Sequence, residues 1–160
     1  MDAAIKKRIL RLLTYGLYIL TAADGDELAA GTITWLSQAS FSPPLVMVGV
    51  KVDSKVHALI EQSGEFAVNL LAAGQMDEAA ACFRPSEVAD GKINGLAFEL
   101  GPQTGAPLLL DLPAWFEARV TDTVKRGDHT VFVAEVIGVG LRQAEVKPLE
   151  LWGTGWSYGG

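Results

Sequence analysis

Two short stretches of this chain combine residue types that can handle an anion or a proton. The first is Lys51-Val52-Asp53-Ser54-Lys55-Val56-His57. It falls where an apolar, strand-like run gives way to a helix-like pattern. Free backbone N–H groups and the positive end of a helix then point at one place. Lys51, Lys55 and His57 add charge or donors, and the Ser54 hydroxyl can donate. In an acidic chain this is the natural locus for a phosphate. On residue types alone, the same stretch also reads as an Asp53 cap, exposed lysines and a partly buried histidine. The second stretch is Gly127-Asp128-His129-Thr130, a turn that holds an imidazole beside a carboxylate able to influence its protonation. A histidine there can equally be only a turn residue.

A third stretch, Ala29 to Pro44, carries five hydroxyls and the Gln38 amide beside Trp35 and Phe41. Core packing alone has no use for so many hydrogen-bonding side chains. Pro43-Pro44 ends the run, because proline lacks an N–H and restricts the residue before it. The stretch reads as the strand-to-loop edge of a cofactor site, or as an ordinary strand followed by a polar loop. Other chemistries lack material. Two histidines and one cysteine offer too little for a nucleophilic triad. His57, Cys82 and His129 do not have metal-ligand spacing, and glycine-rich phosphate loops are absent. Cys82 reads as a small buried residue. Phe83 and Arg84 could border a pocket, though a core aromatic at a helix end is the default.

These residues need a frame. Ile5, Ile9, Leu12 and Leu13 recur at helical spacing among basic residues, which predicts a helix over residues 2–13. Tyr15 to Ala22 is β-prone, and Ala23-Asp24-Gly25-Asp26 predicts the turn of a hairpin leading into the hydroxyl-rich strand. Leu45 to Val52 is a nearly unbroken apolar run, expected to be buried on both faces. A helix should run from Asp53-Ser54 to Gly64, followed by a strand at 66–71 and a short helix at 75–83. Residues 84–106, rich in glycine and proline, read as a long excursion with little regular structure. Period-two alternation from Trp115 to Val124, the turn Lys125-Arg126-Gly127-Asp128 and a run from His129 to Leu141 predict a long hairpin. Helices are few and short, with no β-α-β alternation. The expected fold is mainly β, an antiparallel barrel with a few peripheral helices.

Bulk properties narrow the function classes. The 160 residues suit one domain spanning 1–160 with a single sizeable core. With 49% hydrophobic and 20% charged residues, the chain belongs among folded globular proteins. Nineteen acidic against 13 basic residues give a net charge of −6, which argues against nucleic acid or anionic membrane as partner. One cysteine allows no internal disulfide, and no run approaches the roughly 18 apolar residues of a membrane span. The N-terminus lacks the continuous apolar segment of a signal peptide, so the chain reads as cytoplasmic. Four tryptophans and the apolar end Leu151 to Tyr158 suggest a packed-back tail or a covering subunit, and favour a homodimer.

Taken in order, these motifs resemble the flavin reductase-like, FMN-binding split-barrel proteins. The resemblance runs from about Tyr15 to the end. It rests on Gly16-Leu17-Tyr18-Ile19-Leu20-Thr21, Gly31 to Val46, Lys51 to His57, Phe66 to Leu71, Gly127 to Thr130 and Thr154 to Gly160. It implies a dimer of split β-barrels with one FMN per subunit, FAD being the alternative, and NADH or NADPH as co-substrate. Thr32, Ile33, Thr34, Trp35, Leu36, Ser37, Gln38 and Ser40 would line the flavin. Lys51, Asp53, Ser54 and His57 would serve its phosphate end, Phe83 would lie near it, and His129 beside the ring where nicotinamide docks. No metal is implied. Ala29-Ala30 stands where reductase members commonly have Asn-Gly, and Trp35 where many have serine. The implied chemistry is hydride transfer from nicotinamide to flavin, with a partner monooxygenase or another electron acceptor downstream. An FMN-holding electron-transfer protein without useful nicotinamide oxidation is the rival.

Overall fold

The computed structural model describes residues 1–160 and is mainly β. In chain order the elements begin with α1 (Ala3–Leu10), β1 (Tyr18–Asp24), β2 (Glu27–Ile33), β3 (Leu36–Ser40) and β4 (Leu45–Lys51). Next come α2 (Lys55–Ser63), β5 (Glu65–Leu70), α3 (Met76–Ala81), β6 (Val88–Ala89), β7 (Lys92–Ile93) and β8 (Leu96–Leu100). The chain ends with β9 (Pro107–Leu109), β10 (Ala114–Lys125), β11 (His129–Leu141) and α4 (Leu151–Thr154). No helix is long and apolar enough to cross a membrane.

Seven strands form one antiparallel sheet in the order β2-β1-β5-β10-β11-β4-β3. Its two edge strands, β2 and β3, are separated in sequence only by Thr34 and Trp35. Laid flat, seven strands would put those edges about 29 Å apart, at ~4.8 Å per step. Ile33 and Leu36 can be separated by no more than about 11 Å of chain. The sheet therefore curls until its edges meet at Thr34-Trp35, yet no hydrogen-bonded ladder joins them. The result is an open seam.

Alternation explains which faces turn inward. The predicted 115–124 and 129–141 hairpin is present as β10 and β11, with Lys125 opposite Thr130. The β1–β2 hairpin closes around Gly25-Asp26, with Asp24 opposite Glu27. β4 differs from expectation. Val46, Val48 and Val50 are buried while Met47 is 44% exposed, so this strand covers the core with one face only. Its inward valines join Leu20, Phe66, Ala118 and Phe132 in the main core, capped by Val56, Leu59 and Ile60 of α2. Ser54 caps α2 by accepting from the His57 N–H, and Gly64, at φ +72°, ends it in a left-handed conformation that suits glycine.

Two further expectations are corrected. Residues 84–106 are not irregular: β6, β7 and β8 form, with β9, a second, four-stranded sheet in the order β6-β7-β8-β9. Asp90-Gly91 and Asn94-Gly95, all at positive φ, supply its tight turns. The N-terminal helix is shorter than residues 2–13, and none of its residues is buried. Its apolar stripe has the right period but lies on the surface.

Asn69, fully buried on β5, joins the two sheets. Its side-chain carbonyl accepts from the Leu109 N–H at 2.8 Å, and its amide donates to the Thr21 hydroxyl and the Pro107 carbonyl. Thr21 in turn donates to the Pro107 carbonyl at 2.7 Å.

Candidate functional site

A cavity of about 530 Å³ opens at the seam. Gly31 to Trp35 form one wall, where β2 gives out. The Trp35 carbonyl accepts from the Gly49 N–H at 2.8 Å, fixing the link against β4. Gly49 also leaves room for the indole, since a Cβ there would stand 3.1 Å from Trp35 Cε3. Thr32 is committed to the fold, with its hydroxyl donating to the Ala79 carbonyl at 2.6 Å. Thr34 and Trp35 are not. Thr34 Oγ1 and Trp35 Nε1 are buried without any hydrogen-bond partner. Such atoms are uncommon in a folded chain and call for an explanation. Glu117 Oε2 and Arg142 Nη1 are the other two, and neither residue lines this cavity.

The end of β4 and the start of α2 make the second wall, through Lys51 and Asp53 to Val56. The first N–H groups of a helix have no intrahelical partner, so those of Lys55 and Val56 are left for a ligand. The charges nearby are already balanced in part. Lys51 Nζ lies 2.9 Å from Asp53 Oδ2, and Lys55 Nζ 3.3 Å from Glu27 Oε2. The first contact raises the Lys51 ammonium pKa and lowers that of the Asp53 carboxyl. Ser54 is occupied as well, because its hydroxyl donates to the Lys51 carbonyl at 2.8 Å. Across the cavity, the loop after α3 brings Phe83, Arg84 and Ser86. Arg84 forms no ion pair. Ser86 fastens the loop to β2, accepting from the Ala30 N–H and donating to the Ala30 carbonyl. Cys82 is part of this wall, its thiol pushed up to about 11 by burial.

His129 opens β11 directly opposite Lys51. Its Nδ1 is 2.8 Å from Asp128 Oδ1 and its Nε2 is 2.7 Å from the Tyr158 hydroxyl. A carboxylate can only accept, so Nδ1 carries a proton toward Asp128, and Nε2 is left to pair with the Tyr158 hydroxyl. That contact holds the Asp128 carboxyl below its usual range, while burial raises the Tyr158 phenol. The imidazole also packs against Trp35, with ring centroids 4.4 Å apart.

Of the residues expected to hold a cofactor, Thr32, Ile33, Thr34, Trp35, Lys51, Asp53, Ser54, Phe83 and His129 line the cavity. Leu36, Ser37, Gln38 and Ser40 do not; they continue along β3, where Ser37 and Gln38 are exposed. His57 is also elsewhere. It lies on the face of α2 that packs on the sheet, with Nε2 2.7 Å from the Thr130 hydroxyl, so its ring serves the core. Tyr158 is the chief addition, and Arg84, expected only as a residue that could border a pocket, also lines the cavity. Arg84 follows an aromatic at a helix end, a weak signal. Tyr158 is 29 residues from His129, and no local spacing joins them.

A curled antiparallel sheet thus sets an aromatic wall and a helix N-terminus around one cavity at an open seam. Residues 10–158 match the flavin reductase like domain, and the chain belongs to that family. It is 32% identical over 151 residues to the NADH-dependent flavin reductase StyB of Pseudomonas fluorescens, covering 93% of this chain and 85% of the relative. Among solved structures it is similar to the NADH:FAD oxidoreductase SgcE6 of Streptomyces globisporus C-1027. There the TM-score is 0.80 at 27% identity, over 93% of this chain and 88% of the other. The styrene monooxygenase flavin reductase SMOB of Pseudomonas putida S12 aligns at TM-score 0.73 and 32% identity, over 89% and 88%.

Proposed function

We propose that this chain is an NAD(P)H-dependent flavin reductase with one flavin-binding domain over residues 1–160, and that its flavin sits in the seam cavity. The observation that carries the placement is the pair of orphaned atoms, Thr34 Oγ1 and Trp35 Nε1, on adjacent residues of the cavity wall. A buried polar group without a partner costs about 1–3 kcal/mol, so a ligand that supplies partners is favoured there. The cavity volume lies within the ~300–1,000 Å³ typical of cofactor sites. The open seam supports the reading of the curled sheet as a split barrel.

FMN, with FAD as the alternative, would lay its ring along Ile33, Thr34 and Trp35 and its phosphate end toward the α2 N-terminus and Arg84. When bound, the flavin supplies the hydride acceptor for reduced nicotinamide. The chain's own groups position and shield. The Lys55 and Val56 N–H groups receive the anionic end. The Lys51–Asp53 pair keeps that wall close to neutral, leaving Arg84 as the uncompensated cation. His129, held by Asp128, stands beside the ring locus, and Phe83 excludes water from the opposite side. No side chain has to exchange a proton for hydride to move.

Exposed apolar residues, Phe41, Val139, Leu141 and Trp152 among them, support a homodimer. A monooxygenase or another acceptor would consume the reduced flavin. The test is to mix purified protein with NADH or NADPH and FMN. Rapid nicotinamide oxidation is expected; tightly held flavin reduced only by a protein donor would make the chain an electron carrier instead. His129→Ala should impair oxidation more than flavin retention, and equal loss of both would remove His129 from its role.

A further inference from the structure

The C-terminal residues pack beside the cavity, and Tyr158 forms part of its lining. Trp156 stands edge-on to Phe83 at 5.0 Å between centroids, and Tyr158 edge-on to Trp35 at 5.3 Å. The Tyr158 hydroxyl pairs with His129 Nε2, the ring nitrogen that Asp128 does not hold. Gly159 lies against the Trp35 indole, and its carbonyl accepts from Arg11 Nε at 3.2 Å.

Two features of this closure conflict with a permanent wall. His129 faces the ring locus, yet its free nitrogen is saturated by the chain itself. Trp35 Nε1 is buried beneath the closure with no partner, a penalty that disappears when the segment lifts. The fastening is also light. Tyr158 remains 42% exposed, and the Arg11 contact is on the surface.

We propose that Tyr158 competes with the nicotinamide co-substrate for His129, so that the segment from Trp156 to Gly160 sets the apparent affinity for NAD(P)H. The inference rests on the flavin reductase reading. With the segment down, only the lifted fraction of molecules is competent, and the apparent affinity falls by that fraction. Tyr158 is then a specificity-setting residue, since a co-substrate that cannot replace its hydrogen bond to Nε2 gains nothing by displacing it.

The test uses the full chain supplied with FMN. In Tyr158→Phe the KM for NADH should fall about fivefold, the net worth of one hydrogen bond. Arg11→Ala, which frees Gly159 from a distance, should lower it by about twofold. Calorimetric titration of the oxidised flavoprotein with NAD⁺ should show the same ordering of Kd without turnover. A KM that stays or rises in both variants overturns the proposal. So does a fall in kcat with KM unmoved, which would mean that Tyr158 positions His129. Wild-type protein that binds FMN and oxidises NADH while the variants behave identically removes this inference alone. Wild-type protein that does neither removes the flavin reductase reading with it.

Discussion

Asn69 and the Thr34-Trp35 link are both buried polar sites in the same β framework, at two different junctions. At Asn69 the two sheets are joined; the side-chain carbonyl and amide find partners on β9 and β1. At Thr34-Trp35 the larger sheet fails to close, and two buried polar atoms have none. The difference separates polar atoms that the fold satisfies from polar atoms that it does not. A polar side chain whose partners belong to the chain holds the fold, whereas one left without them at a cavity wall is, on the reading proposed above, available to a ligand. Thr32 and Ser54, which line the same cavity, show that the distinction follows atoms rather than positions. Their hydroxyls are already used by Ala79 and Lys51.

Breaking the satisfied junction should have the largest effect. Asn69→Ala leaves the Leu109 N–H and the Pro107 and Thr21 groups with fewer partners, at about 3 kcal/mol. For a chain of this size that is a fall of about 9 °C in the melting temperature. Calorimetry should show it, while flavin affinity measured well below the transition stays close to wild type. A large loss of affinity with little loss of stability would reverse the assignment.

Cys82 lies between the two regions, lining the cavity yet buried in a second apolar cluster with Ile19, Leu71, Ile93 and Leu109. Burial raises its thiol from the ordinary 9.0 to about 11. Because the folded state holds the proton more tightly, this contribution is intact below pH 9 and is lost as pH rises toward 11. It should amount to about 2 kcal/mol by the upper end. Urea denaturation at pH 8 and pH 10.5 should therefore show a steeper decline for wild type than for Cys82→Ala. Parallel declines would mean that the thiol is not sealed from solvent.

How far these regions were legible follows from the range of the signals. The long hairpin of β10 and β11 was plain because alternation is local and spans a dozen residues. The small sheet was missed although Asp90-Gly91 and Asn94-Gly95 are hairpin turns, since its strands are too short to show alternation and the glycines and prolines read as an excursion with little regular structure. Leu45 to Val52 misled by composition: an apolar residue at Met47 faces outward, and a run of apolar letters does not report its faces. Trp35, Lys51 and His129 could be named early because each lies within a recognisable local pattern. His57 could not be separated from them, because which face of α2 meets the sheet depends on packing with residues far away in sequence. Tyr158 reaches His129 only through the return of the tail, a contact without local trace.

The smallest stability change should come from the open junction, and its sign is what matters. Thr34→Val keeps the shape of the side chain and removes a buried hydroxyl that has no partner. The change should leave the free protein as stable as before or more so, by up to about 1 kcal/mol. Flavin affinity should move the other way, weakening about tenfold as the ligand loses a hydrogen bond in a dry site. Trp35→Phe should follow the same pattern through Nε1, with a smaller gain in stability because the narrower ring packs less well against Gly49. Melting curves of the flavin-free protein and fluorescence titration with FMN give both signs in one experiment. If Thr34→Val loses stability and keeps its affinity for FMN, the hydroxyl serves the fold after all, and the seam resembles the Asn69 junction more than it differs from it.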